Sequence, residues 1–86
     1  MQEQDAKLKE FFERARKGVL SHLNEKGGVL PMGNLHEYSL KTFFIQHQRF
    51  SIMMESFVNE ELATYDNSTD EVVITDKGKE FIGRAA

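Results

Sequence analysis

The chain has 86 residues, enough for one domain and too few for two, so we expect a single domain covering residues 1–86. Hydrophobic residues make up 40% of the sequence and the formal net charge is −3, which favours a folded domain over a disordered segment. Because the sequence has no cysteine, it excludes disulfides, thiolate zinc sites and a cysteine nucleophile. No apolar run approaches the ~20 residues of a membrane span, and the N-terminus lacks the pattern of a secretion signal. We therefore predict a cytoplasmic protein without membrane contact.

The N-terminal third shows the clearest amphipathic periodicity of a long helix. Apolar residues recur at steps of three and four, which predicts helix 1 at about residues 5–26 with an inward stripe of Leu8, Phe11, Phe12, Ala15, Val19 and Leu23. Gly27 and Gly28 are expected to end it. Gly18 lowers the intrinsic stability of the helix, and close approach of another element would explain its presence.

The middle of the chain predicts a short strand and a second helix. The segment "VLP" suits a strand of two or three residues, because Pro31 prevents it from continuing as a helix. Asn34 is a suitable N-cap for helix 2, predicted at about residues 34–44. Its inward stripe would consist of Leu35, Tyr38, Ser39, Thr42 and Phe43.

The C-terminal half predicts a third helix, a hairpin and a short fourth helix. Helix 3 is expected at about residues 48–61, with an inward stripe of Phe50, Met53, Met54, Phe57 and Val58. The runs "LATYD" and "EVVIT" flank "NST" and predict a hairpin at about residues 62–75. Helix 4, at about residues 76–84, would be capped by Thr75 or Asp76 and held to the core by Phe81 and Ile82.

This order of elements predicts an α+β fold that is mainly helical, and two segments resemble a known superfamily. "MESFVNEELATYD" and "ITDKGKEFI" are similar to the recognition helix, wing strands and closing helix of small prokaryotic winged-helix proteins. The resemblance implies a winged helix-turn-helix with a three-helix core, a two-stranded wing and a short C-terminal helix. Two features depart from the usual pattern: Glu61 stands where a glycine often ends the recognition helix, and the turn "FFIQHQ" is bulky.

The same resemblance implies DNA binding, with helix 3 in the major groove and the wing on the adjacent backbone. The outward face of helix 3 is expected to carry side chains that suit base edges: amides for adenine, Arg49 for guanine or a phosphate, a carboxylate for cytosine, and Ile52 for a thymine methyl. Lys41 and His47 would add positive charge beside it. The predicted binding residues are Gln48, Arg49, Ser51, Ile52, Glu55, Asn59, Lys41 and His47.

The charge distribution leaves a second interpretation open. DNA affinity depends on Lys and Arg at phosphates, whereas helix 3 has few cations and the wing carries Asp66, Asp70 and Glu71. An outward Ile52 beside Phe44 and Ile45 would instead form an apolar patch of a protein-interaction module. The alternative for Phe44 and Ile45 is that they pack inside the fold.

Helix 1 and the histidines suggest no catalytic site. The basic residues of helix 1 alternate with Glu10 and Glu13, which predicts a solvated face with Glu10–Arg14 and Glu13–Lys17 ion pairs. Phe11 and Phe12 widen its apolar face enough for a second protomer, so we expect a homodimer through helix 1. The three histidines, His22, His36 and His47, lack the spacing of a metal site. We therefore predict no enzymatic activity, metal or cofactor.

Overall fold

A computed structural model, which describes residues 2–83 and their side chains from Lys7 onward, contains four helices and three strands within that range. The fold is α+β and mainly helical, as predicted. In chain order the elements are α1 (Gln2–Glu25), β1 (Val29–Pro31), α2 (Met32–Phe43), α3 (His47–Asn59), β2 (Ala63–Asp66), β3 (Glu71–Ile74) and α4 (Asp76–Gly83). The predicted end of helix 4 at residue 84 lies outside the described residues.

The three strands form one antiparallel sheet in the order β1-β3-β2. β2 and β3 are the two arms of the predicted hairpin, with Ala63 opposite Ile74 and Asp66 opposite Glu71. β1 pairs with the other edge of β3, with Val29 opposite Val73. The short strand that follows α1 therefore joins the hairpin to the helical part of the molecule.

α1 packs on the rest of the fold through its second half. Ala15, Val19, Leu20 and Leu23 are fully buried. Gly18 faces Phe43 of α2 so closely that an added Cβ would lie 2.8 Å from its Cε2 atom, which confirms the predicted close approach. The ring of His22 stacks on Tyr38 of α2 at a centroid distance of 3.8 Å. Leu8, in the first half, is 53% exposed, so the predicted inward stripe is wrong at that end.

α2 begins earlier than predicted. Pro31, the last residue of β1, is the N-cap, with an extended backbone and no side-chain hydrogen bond to the helix. Because Pro31 both ends the strand and precedes the first turn, Asn34 lies inside that turn and is not the cap. Leu35 and Ser39 are buried as predicted, whereas Thr42 is exposed at the C-terminal end.

The turn between α2 and α3 separates two neighbouring apolar residues. Phe44 closes α2 in a left-handed conformation, with φ 58° and ψ 31°, and its N–H donates to the carbonyl of Leu40. Its side chain is 82% exposed, whereas Ile45 is only 2% exposed and joins the core. A left-handed conformation is rare for a bulky residue and costs on the order of 1 kcal/mol.

α3 is anchored by four side chains, Phe50, Met53, Met54 and Phe57, which are all buried as predicted. Val58 is 45% exposed, so its predicted inward position is wrong. On the helical wheel it lies at the edge of the buried stripe, where the neighbouring elements leave it uncovered. The helix ends at Asn59, and Glu61 takes the left-handed conformation, with φ 62°.

Thr75 connects the end of α3 to the start of α4. Its hydroxyl donates to the carbonyl of Glu61 at 2.6 Å and accepts from the N–H of Gly78 at 2.9 Å. The second bond is that of an N-cap residue, and it confirms Thr75 as one of the two predicted caps. Phe81 and Ile82 are half-buried against the core.

Candidate functional site

The outward face of α3 presents a row of side chains to solvent. Gln48, Arg49, Ser51, Ile52, Glu55 and Asn59 are all exposed, as the helical wheel predicted. Within residues 7–83, the side chains of Gln48, Arg49, Glu55 and Asn59 make no hydrogen bond or ion pair with the rest of the chain. Their donors and acceptors are therefore available to a bound molecule.

The cations near this face differ in availability. Arg49 has no carboxylate partner among the described residues, whereas Lys41 lies 3.7 Å from a carboxylate oxygen of Glu37. His47 is exposed and starts α3, and its ring contacts that of His36 at a centroid distance of 5.5 Å. Lys77, near the start of α4, pairs with Glu61 at 3.3 Å. The positive charge of the site thus rests mainly on Arg49 and the N-terminal end of α3.

The carboxylates of the hairpin turn are hydrogen-bonded within the hairpin. The Tyr65 hydroxyl donates to Oδ1 of Asp70 at 2.6 Å, and this bond raises the pKa of Tyr65. The hydroxyl and backbone N–H of Ser68 both donate to Oδ1 of Asp66, which lowers the pKa of Asp66. These hydrogen bonds order the turn, and the lowered pKa of Asp66 keeps its carboxylate negatively charged at neutral pH.

A groove of about 600 Å³ runs along one side of α3, between that helix, the start of α2 and the hairpin. Its apolar surface comes from Met32, Phe50, Met54 and Val58. The ring of His36 packs against Phe50 at a centroid distance of 5.0 Å, and its Nε2 atom is buried without a hydrogen-bond partner. The side of α3 that carries Ser51, Glu55 and Asn59 borders this groove.

The apolar patch considered for a protein partner forms only in part. Phe44 and Ile52 are exposed, the latter by 55%, whereas the burial of Ile45 removes it from any surface patch. The alternative that both turn residues pack inside is therefore correct for Ile45 and wrong for Phe44.

The two aromatic residues predicted to support a dimer are placed differently. Phe11 is 38% exposed, and the exposed Leu8 lies one turn before it. Phe12 is half-buried against the core. Of the two, Phe11 therefore lies at the surface beside Leu8, and Phe12 mainly supports the fold.

The predicted ion pairs of helix 1 are replaced by a different network. Neither Glu10–Arg14 nor Glu13–Lys17 forms among the described residues; instead Arg16 donates 2.8 Å hydrogen bonds to both Glu13 and Glu60. Arg16 is 5% exposed, and its guanidinium lies 5.3 Å from the ring centroid of Phe81.

The protonation state of Arg16 reflects opposing effects. Burial disfavours the charged form of its guanidinium, but the hydrogen bonds to Glu60 and Glu13 outweigh that effect and raise the pKa. Arg16 therefore remains a cation that joins α1 to the end of α3 and α4.

No group of three or more histidine and acidic side chains with the geometry of a metal site occurs among the described residues. None of the helices in residues 2–83 combines the length and the apolar content that a membrane crossing requires.

Comparisons with family models, curated proteins and solved structures find no match. The assignment of a function therefore depends on the residues and geometry of this chain.

Sequence reasoning missed the groove and the Arg16 network. Val58 follows the helical period of the buried residues, so the sequence predicts that it is buried. For Tyr65, the sequence did not show which face of the sheet its side chain lies on, so neither residue indicated a groove. Arg16 lies within a run of charges that is typical of a solvated face. Only its position one residue after the apolar Ala15 distinguishes Arg16 from the neighbouring charged residues, and that position is weak evidence for burial.

Proposed function

We propose that this chain is a winged-helix domain that binds DNA as a small regulator, with α3 as the recognition helix. The order of elements supports the family assignment: a long helix, a short strand, two helices joined by a three-residue turn, a hairpin and a closing helix. The sheet order β1-β3-β2, in which the first strand pairs with the second arm of the hairpin, supports it as well. DNA binding would also agree with the predicted cytoplasmic location.

The observation that carries the DNA-binding proposal is the unpaired polar face of α3. Gln48, Arg49 and Asn59 offer donors and acceptors at helical spacing, and no side chain or backbone group in residues 7–83 bonds to them. Amide and guanidinium groups of this kind match the edges of adenine and guanine in the major groove. The buried stripe on the opposite side holds the helix at a fixed position, as a reading helix requires.

The charge pattern determines what kind of DNA binding is expected. With Arg49 as the main cation of α3 and two carboxylates in the hairpin turn, one copy of the domain neutralises few phosphates. Binding should therefore be weak for a single domain, and it should decrease only moderately with salt, because the salt slope is proportional to the number of phosphates neutralised. A second copy would double the number of contacts.

The proposal is tested by fluorescence anisotropy of labelled duplex DNA at about 50 mM and 200 mM salt. We expect Arg49→Ala to weaken binding about tenfold and to reduce the salt dependence, because a principal phosphate or guanine contact is lost. Glu55→Gln should strengthen binding a few-fold or change the sequence preference, because it removes a negative charge from the face.

Arg14→Ala is the matched control for Arg49→Ala, since Arg14 is an exposed arginine of α1 without an ion pair among the described residues. It should leave DNA affinity within about twofold if α3 reads the DNA. Equal losses from Arg14→Ala and Arg49→Ala would contradict the assignment of α3 as the reader.

We also propose that two copies associate through the exposed apolar residues of α1. Leu8 and Phe11 lie one turn apart and are both exposed among the described residues. Sedimentation equilibrium should show a dimer that Leu8→Glu together with Phe11→Glu converts to a monomer. The melting temperature of the isolated protomer should change little, because both side chains are already exposed. A monomeric parent protein would contradict this proposal.

The exposed aromatic residue of the turn favours a second candidate, a protein-interaction module. Phe44 combines an 82% exposed ring with a strained backbone conformation, and such strain concentrates at functional sites. Ile52 adds a second exposed apolar side chain on the outward face of α3. Absence of DNA binding even at about 50 mM salt would favour this candidate over DNA recognition.

A further inference from the structure

The groove beside α3 has the composition of a site for a small organic molecule. Its volume of about 600 Å³ falls within the roughly 300–1,000 Å³ typical of such sites. The wall on the α3 side is apolar, formed by Phe50, Met54 and Val58, and Met32 closes the end at α2. Phe50 and Met54 belong to the buried stripe of the helix, so this wall is fixed in position.

Two carboxylates and the rings of His36 and His47 border this apolar surface. The groove is lined by the carboxylates of Glu55 and Asp70, and none of its lining residues is a lysine or arginine. Asp70 is held in place because its Oδ1 accepts the Tyr65 hydroxyl, which leaves Oδ2 without a partner among the described residues. Glu55 has no ion pair or hydrogen bond there.

We propose that this groove binds a small organic cation with an apolar body, such as an arylalkylamine. The apolar wall would receive the hydrocarbon part, and the ammonium group would pair with Glu55, Asp70 or both. A phosphate backbone fits this part of the surface poorly, because two carboxylates would repel it. The inference goes beyond DNA recognition and does not depend on it.

The test uses three probes that share one aromatic body and differ in charge: phenethylammonium, 2-phenylethanol and phenylacetate. Each is titrated into the ¹⁵N-labelled protein and followed by two-dimensional NMR. Ligands of this size bind in the millimolar range. We expect phenethylammonium to bind at least several-fold more tightly than the alcohol, and phenylacetate to bind most weakly. The shifted amides should belong to α3, the start of α2 and the hairpin.

Glu55→Gln with Asp70→Asn should remove the preference for the cation while leaving 2-phenylethanol binding within about twofold, because the apolar wall is unchanged. Glu10→Gln with Glu25→Gln makes the same charge change on α1, outside the groove, and should preserve the preference. If the double variant fails to fold because of Asp70→Asn, Glu55→Gln alone, at an exposed position, should still reduce the preference for the cation. Equal binding of the three probes, shifts outside the groove, or an unchanged preference in the Glu55 variants would overturn the proposal.

Discussion

Gly78→Ala is expected to lower the free energy of unfolding by about 2 to 3 kcal/mol, a decrease in melting temperature on the order of 10 °C for a domain of this size. Gly78 lies in the first turn of α4 and is buried. An added Cβ would collide with the backbone carbonyl oxygen of Leu62 and would lie 2.8 Å from Cγ1 of Ile74. Neither the carbonyl nor a β3 side chain can move away without shifting the contact between the hairpin and α4.

Gly83→Ala is the control for that substitution. Gly83 lies in the same helix, and an added Cβ there would have no atom within 4 Å. Because alanine has the higher helix propensity, this variant should be neutral or slightly more stable. Chemical denaturation of both variants measures the difference, and a Gly78→Ala protein as stable as Gly83→Ala would contradict the close packing of α4.

Removal of both carboxylates around Arg16 is the second change with a large expected effect. Glu13→Ala with Glu60→Ala should lower the free energy of unfolding by about 2 to 3 kcal/mol, because the buried guanidinium loses both of the carboxylates that it bonds among the described residues. This loss of stability is no larger than the cost of breaking a fully buried ion pair, because the two glutamates are themselves about half exposed.

Arg16→Met separates two contributions to the free energy of unfolding: the cost of burying an unpaired charge and the stabilisation that the ion pairs provide. It removes the charge but keeps apolar contact with Phe57 and Phe81, so we expect a loss of about 1 kcal/mol or less. Glu10→Ala with Glu55→Ala removes two exposed, unpaired carboxylates and should change stability by less than about 0.5 kcal/mol. If Arg16→Met were more destabilising than loss of both glutamates, ion pairing and not avoidance of a lone charge would dominate this network.

Hydrophobic periodicity predicted the helices because burial of one face is a property of each segment alone. The inward stripe of α3 is the clearest case, since Phe50, Met53, Met54 and Phe57 are all buried. Local periodicity does not reveal which neighbour covers a given position. Val58 follows the same period and is exposed, because the hairpin stands away from it and leaves a groove.

Capping and turn positions also depend on neighbouring residues in ways that the chemistry of one side chain does not reveal. Thr75 was a candidate cap on local chemistry, and its hydroxyl makes that bond. Asn34 had equally suitable chemistry, but Pro31 already ends β1 and precedes the first turn of α2, so the cap lies earlier. Phe44 and Ile45 are chemically similar neighbours, and only the left-handed turn decides that one points to solvent and the other to the core.

The candidate site was predictable where it depends on one helix and unpredictable where it depends on several elements. The outward side chains of α3 follow from the helical wheel once the buried stripe is known. The groove requires the relative positions of α2, α3 and the hairpin. The Arg16 network joins residues 44 positions apart, Arg16 and Glu60, and no local pattern encodes such a pair.

The central claim, that α3 reads DNA, is tested most directly by mapping duplex DNA onto the ¹⁵N-labelled protein by two-dimensional NMR at about 50 mM salt. The account predicts that the largest shifts belong to residues of α3 such as Gln48, Arg49 and Asn59, with smaller shifts in the hairpin. Shifts concentrated on the basic side of α1, around Arg14 and Lys17, or no shifts at all, would contradict it.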